Sequence, residues 1–127
     1  MTVLIVEDNS GVRALLRRAL LETASQMWDC SDGADALQSY IAHRPDVVVM
    51  DIRMPRMDGL MATRQILQSD PWARVVMVSD YDDEDLRRAA SAAGARGYTL
   101  KQDLSELIEL LRSLNSEDGG PPILSSN

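Results

Sequence analysis

Short solid apolar runs alternate with longer periodic stretches along this chain. The first run is Val3-Leu4-Ile5-Val6. After it, Val12, Leu15, Leu16 and Ala19 recur at spacings of three and four, which predicts a helix capped by Asn9 or Ser10. Gln26 to Cys30 reads as a short second strand with Met27 and Trp28 as its bulky members, although its alternation is poor. Ser31-Asp32-Gly33 signals a turn, and a second helix follows over about 34–43 with Ala34, Leu37 and Ile41 on one face, ended by Pro45. Val47-Val48-Val49-Met50 is apolar at every position, as a strand covered on both faces would be. A third helix runs from near Gly59 to Asp70-Pro71. Val75-Val76-Met77-Val78 is a second fully apolar strand, followed by a helix carrying Leu86, Ala89, Ala90 and Ala93 that stops at Gly94. Gly97 to Leu100 is the fifth strand. A last helix puts Leu104, Leu107, Ile108 and Leu111 on one face, with Asp103 and Glu106 spaced as a capping box.

Five strand–helix units in this order predict an α/β fold, with a parallel sheet wound on both faces by helices. Right-handed crossovers leave only a few doubly wound arrangements. The pattern ends near residue 115. The segment 116–127 contains Gly119-Gly120-Pro121-Pro122, has little periodicity and reads as a linker or tail.

Composition narrows the function. Acidic residues outnumber basic ones by 20 to 13, giving a net charge of −7, which argues against phosphate-backbone binding by this segment. No apolar stretch approaches the roughly 20 residues that span a bilayer, so no membrane partner is expected. No charged segment followed by an apolar one opens the chain as a leader would. Cys30 is the single cysteine, so no internal disulfide framework exists. A cytoplasmic location is expected.

The chemistry lies where the strands end. Open parallel sheets bind ligands at the carboxyl ends of their strands, at a topological switch point. The first strand ends in Glu7-Asp8, the third in Asp51 and the fourth in Ser79-Asp80, and Lys101 follows the fifth. If these ends are neighbours, three carboxylates share one pocket and raise one another's pKa unless a cation neutralises them. An all-oxygen set with room for water suits Mg²⁺. Asp51 can then act as a nucleophile toward a phosphoryl group. Such transfer needs chiefly alignment and charge neutralisation, which Lys101 as a point charge and Ser79 as a hydroxyl donor would supply.

These residues resemble the receiver domain of two-component response regulators over roughly residues 2–115. The carriers are Glu7-Asp8, the run Asp51-Ile52-Arg53-Met54-Pro55-Arg56-Met57-Asp58-Gly59, Ser79, and the run Gly94-Ala95-Arg96-Gly97-Tyr98-Thr99-Leu100-Lys101. The resemblance implies a flavodoxin-like sheet of order 2-1-3-4-5, which sets the first and third strands side by side. It implies that Asp51 accepts phosphate from a sensor histidine kinase. It also implies that Glu7, Asp8, Asp51 and the backbone carbonyl of Arg53 hold Mg²⁺. It further implies a switch in which the Ser79 hydroxyl moves toward the phosphoryl group and Tyr98 turns inward. The wording around Tyr98, without proline after Lys101, is similar to the NarL/LuxR-type subfamily. Members of that group continue into a helix-turn-helix domain, so 1–115 would be a receiver and 116–127 the start of a linker to an output domain that binds DNA. Relatives form homodimers through the first and last helices, or through the fourth helix, fifth strand and fifth helix; both surfaces stay open here.

One departure matters. Asp80 stands where the family has a small residue, adding bulk and negative charge beside the site. It keeps alive a receiver-like domain not switched by phosphate, next to a stand-alone receiver for relay or docking. A phosphatase using an aspartyl-phosphate intermediate is the third class, but it requires a second Asp two residues after the nucleophile, and Arg53 stands there. No turnover enzyme is expected, only phosphoryl transfer to Asp51 and its reversal. Asp58 is read as a turn or cap residue, and His43 as a helix-end residue without a catalytic role.

Overall fold

A computed structural model describes residues 1–116. The elements run β1 (Thr2–Val6), α1 (Ser10–Ala19), β2 (Gln26–Cys30), α2 (Gly33–His43), β3 (Val47–Asp51), α3 (Gly59–Ser69), β4 (Val75–Ser79), α4 (Glu84–Ala93), β5 (Gly97–Leu100) and α5 (Leu104–Asn115). All strand pairings are parallel, in the order β2-β1-β3-β4-β5. The expected α/β doubly wound fold is therefore present. The Gly-Gly-Pro-Pro tail lies outside the described residues.

The solid apolar runs are explained by two separate cores. Leu4, Val6, Val48, Met50, Val75 and Met77 point to one face and pack with Ala36, Tyr40, Ala62, Ile66 and Ala90 of α2, α3 and α4. Val3, Ile5, Val47, Val49, Val76 and Val78 point to the other and pack with Leu16, Leu20, Leu107, Leu111 and Leu114 of α1 and α5. Successive side chains of a strand alternate faces, so a sheet covered on both sides needs apolar residues at every position. The poor alternation of β2 has a matching cause. It is an edge strand, and its Gln26 and Asp29 are exposed. Asp29 faces Arg17 at 3.1 Å across the surface.

Two helix faces differ from the sequence expectation. Leu15 is 49% exposed, and the buried line is the narrower one of Leu16 and, just past the end of α1, Leu20, with Val12 half-buried. In α2 the inward residues are Gly33, Ala36 and Tyr40, whereas Ala34 and Ile41 are exposed. The rotation follows from contacts at both ends of α2. Gly33 lies against the Met57 carbonyl, and the Tyr40 hydroxyl donates to Asp70 Oδ2 at 2.6 Å. Among the described residues no helix is long and apolar enough to cross a membrane.

Side-chain caps set where the helices start, and so aim the strand-end loops. Asn9 Oδ1 accepts from the Val12 amide at 2.9 Å, Asp58 Oδ1 from Met61 at 2.9 Å, and Asp103 Oδ1 from Glu106 at 3.1 Å. Asp58 is thus the cap of α3. Gly59, next to it, donates its amide to the Ile52 carbonyl at 2.7 Å. A Cβ on Gly59 would fall 2.0 Å from the Asp51 carbonyl oxygen, so only glycine lets α3 begin this close to the end of β3.

Candidate functional site

β1 and β3 are hydrogen-bonded neighbours, which brings Glu7, one residue past β1, beside Asp51, the last residue of β3. One ligand oxygen from each of Glu7, Asp8 and Asp51 lies within 4.8 Å of the others. Glu7 is fully buried, Asp51 is 3% exposed and Asp8 is open to solvent. The three acids that the sequence placed on two strand ends form one pocket with a single wet edge.

Lys101 enters from the far side, carried by the end of β5. Its Nζ is 2.9 Å from Glu7 Oε1, 3.0 Å from Asp51 Oδ1 and 3.8 Å from Asp80 Oδ2. The Lys101 amide donates to the Ser79 carbonyl at 2.8 Å, which locks this loop to the end of β4. Lys101 is the only lysine of the chain; apart from His43, every other basic residue is arginine. That compositional signal, legible in the sequence alone, singles it out. A compact ammonium can sit between two carboxylates where a planar guanidinium fork fits poorly.

The electrostatics are lopsided. Burial, and then the negative charge of Glu7, push the Asp51 carboxyl up to about 7, with Lys101 pulling the other way. Burial opposes the Lys101 charge, but Glu7 and Asp51 outweigh it and raise its pKa. Glu7 Oε2 accepts from the Asn9 amide at 3.1 Å. Glu7 Oε1 is buried with no aligned donor, although the Lys101 ammonium is close. A pocket of clustered hard oxygens, one of them buried and under-satisfied, fits a small divalent cation such as Mg²⁺.

Ser79 is 3% exposed at the end of β4, and its Oγ accepts from the Tyr81 amide at 3.1 Å. Tyr98 faces inward, 9% exposed, and its hydroxyl donates to the Tyr81 carbonyl at 2.6 Å. The two residues expected to form a switch therefore hold opposite sides of the Tyr81 backbone. The Arg87 guanidinium lies over the Tyr98 ring at 4.6 Å. Arg53 and Tyr81 meet at the outer rim, with 5.0 Å from guanidinium carbon to ring centroid.

Sequence reasoning did not find some supporting residues. Arg13 donates to the Glu7 carbonyl at 2.8 Å and steadies the loop after β1. Arg56, with a left-handed backbone, pairs with Asp32 at the start of α2 and ties the loop after β3 to that helix. Both contacts cross between elements, and no spacing rule along the chain announces them. His43 lies at the opposite end of α2 from this clamp, stacked on Trp28 at 4.4 Å, and it is absent from the acidic pocket.

Comparison with known proteins agrees with this geometry. Residues 3–112 match the family described as response regulator receiver domain. The chemotaxis protein CheY of Bacillus subtilis is 35% identical over 100 residues, covering 78% of this chain and 83% of that protein. A LuxR-family response regulator from Aurantimonas sp. superposes with a TM-score of 0.84 at 30% identity, covering 91% of this chain and 86% of that one. CheY of Borrelia burgdorferi, solved as a CheX–CheY–BeF3–Mg complex, superposes with a TM-score of 0.82 at 28% identity, covering 92% and 90%.

Proposed function

The chain belongs to the response regulator receiver family, and from that premise we propose that it is a phosphorylation-dependent signalling switch with Asp51 as the phosphoacceptor. Receiver domains work with histidine kinases, so the donor is a kinase phosphohistidine. The observation that carries the reading is the convergence of Glu7, Asp8 and Asp51 on one pocket with Lys101 against the acceptor oxygen. In the transfer, an Asp51 oxygen bonds to phosphorus while the phosphorus–nitrogen bond to the imidazole breaks. The departing nitrogen keeps the electron pair. Lys101 stands ready to offset charge on the phosphoryl oxygens, and Ser79 to donate its hydroxyl. Mg²⁺, when held by Glu7, Asp8, Asp51 and the Arg53 carbonyl, would supply the charge neutralisation that three carboxylates and a phosphoryl group require. The Mg²⁺ found with the Borrelia CheY supports this assignment by analogy.

The test is Mg²⁺-dependent labelling with a small phosphodonor, read by intact mass. Wild type should gain one phosphoryl group and Asp51→Ala none. Labelling of Asp51→Ala to the same extent would place the acceptor elsewhere.

Signal output follows from Ser79 and Tyr98. When Ser79 Oγ turns to a phosphoryl oxygen it must release the Tyr81 N–H, while Tyr98 still holds the Tyr81 carbonyl in the next peptide group. The Tyr81 backbone, gripped on both sides of its Cα, is the joint between the site and the face formed by α4, β5 and α5. Beryllofluoride, the phosphoryl mimic, should therefore speed hydrogen exchange at the Tyr81 amide in wild type but not in Ser79→Ala. The same response in both would remove Ser79 from the pathway.

We place the receiver at residues 1–115 and assign 116–127 as a linker to a helix-turn-helix output domain that would carry all DNA binding. The NarL/LuxR-like wording and the LuxR-family likeness favour this arrangement. The stand-alone reading is favoured by the Bacillus CheY, of which this chain spans 83%. The reading frame beyond residue 127 separates the two. A cytoplasmic location fits a domain served by the kinase's inner face. Homodimers through α1 with α5, or through α4-β5-α5, both fit this architecture.

A further inference from the structure

Asp80 does more than follow Ser79 in the chain. Its carboxylate is 67% exposed at the mouth of the pocket and 3.8 Å from Lys101 Nζ, the nitrogen that also touches Asp51 and Glu7. Contacts to one shared nitrogen keep the Asp80 oxygen within about 7 Å of the Asp51 oxygen. That is shorter than the Debye length of about 10 Å at 0.1 M salt and longer than the value of about 3 Å at 1 M. An arriving phosphoryl group therefore meets the Asp80 charge at low salt and is shielded from it at high salt. The Lys101 ammonium is already shared among three carboxylates, so it does not fully cancel Asp80 while it serves the acceptor.

We propose, resting on the phosphoacceptor reading of Asp51, that Asp80 is a specificity-determining residue that selects phosphodonors by charge. It disfavours small free dianionic donors and favours a phosphoryl group carried on a protein. A protein donor can bring a basic side chain up to the exposed Asp80 carboxylate. A free acyl phosphate has no such cation, and both of its phosphoryl charges face Asp80 and Asp51 together. The chemical step is the same for either donor: an Asp51 oxygen bonds to phosphorus, the bond from phosphorus to the leaving oxygen or nitrogen breaks, and the leaving group keeps the electron pair. Asp80 acts on approach and takes no part in bond making.

The experiment uses Asp80→Asn, which keeps the shape and removes the charge, and Asp80→Glu, which keeps the charge. Labelling rates are measured by intact mass with acetyl phosphate, doubly charged near neutral pH, and phosphoramidate, singly charged. In Asp80→Asn the acetyl phosphate rate should rise roughly threefold to tenfold at low salt. The phosphoramidate rate should rise about twofold to threefold. Both gains should shrink toward unity at 1 M salt, and Asp80→Glu should stay near wild type. Equal wild-type and Asp80→Asn rates, a gain that ignores salt and donor charge, or a gain shared by Asp80→Glu would each overturn the charge gate while leaving Asp51 as acceptor. Failure of all three proteins to label with either donor would overturn the acceptor reading, and the gate with it.

Discussion

Replacing Lys101 with methionine should destabilise the Mg²⁺-free protein by about 3–5 kcal/mol at pH 8, because it strips the only ammonium from two buried carboxylates. The aliphatic stem is roughly conserved in this substitution, so lost packing contributes little. What remains is Glu7 beside Asp51, both out of water, with the ammonium that touched both carboxylates gone. The loss should be smaller near pH 5, where Asp51, already pushed up to about 7 in the intact pocket, takes up a proton and removes the charge–charge repulsion with Glu7. Millimolar Mg²⁺ should return much of the lost stability, since a divalent ion in the same cage replaces the missing positive charge. Urea titrations at the two pH values, with and without Mg²⁺, measure all of this. A change below about 1 kcal/mol would mean that the ion pairs contribute no more than surface ones do.

Replacing Asp51 with asparagine should have the opposite sign. Burial first, and Glu7 second, raise the Asp51 carboxyl from 3.8 to about 7. The folded chain then holds this proton more tightly than the unfolded chain does. Stability from this group is fully present below about pH 4 and is lost as pH climbs through about 7. Asparagine cannot ionise and escapes that loss. Without Mg²⁺ the variant should therefore match wild type near pH 4 and exceed it by roughly 2–4 kcal/mol at pH 8. The lower end of that range applies if Lys101 suffers from losing one of its two close partners. With Mg²⁺ the advantage should narrow or reverse, because wild type gains a better cation site. Thermal melts across pH 4–8 follow the difference. A constant offset between the two proteins over that range would show that Asp51 ionises normally, and that the pocket carries no stored repulsion.

The two expectations describe one device. The pocket holds more negative charge than its own lysine can balance, and that imbalance is what attracts a divalent cation and then a phosphoryl group whose charge must be shared. Asp80 extends the imbalance to the rim. The same excess of acid that makes the site reactive makes it a local source of instability, in keeping with strain concentrated at functional sites.

The legibility of this protein along its chain divides by range. The solid runs at Val47 to Met50 and Val75 to Val78 read as strands buried on both faces, and the structure places both in the interior of the sheet. Glycine and aspartate punctuation located the loops, down to Asp58 as the cap and Gly59 as the close approach. Helix phase was less secure. Leu15 of α1 is exposed, and in α2 Tyr40 is buried in place of Ile41, because an apolar stripe read from a few residues can rotate by one position when a single tertiary contact, in α2 that of Tyr40 to Asp70, favours it.

By itself the sequence determined the alternation of strands and helices and the delivery of acid, hydroxyl and amine to strand ends, since both depend on local periodicity and on which residue follows each run. It also carried the motifs that mark the receiver family. Only the tertiary structure decided that Lys101 serves Glu7, Asp51 and Asp80 at once, that Ser79 and Tyr98 grip the same Tyr81 backbone, and that Glu7 and Asp51 are buried while Asp8 is exposed. The physical reason is that charge coupling and burial depend on distances across the sheet. Parallel strand order sets those distances, and they leave no period along the chain.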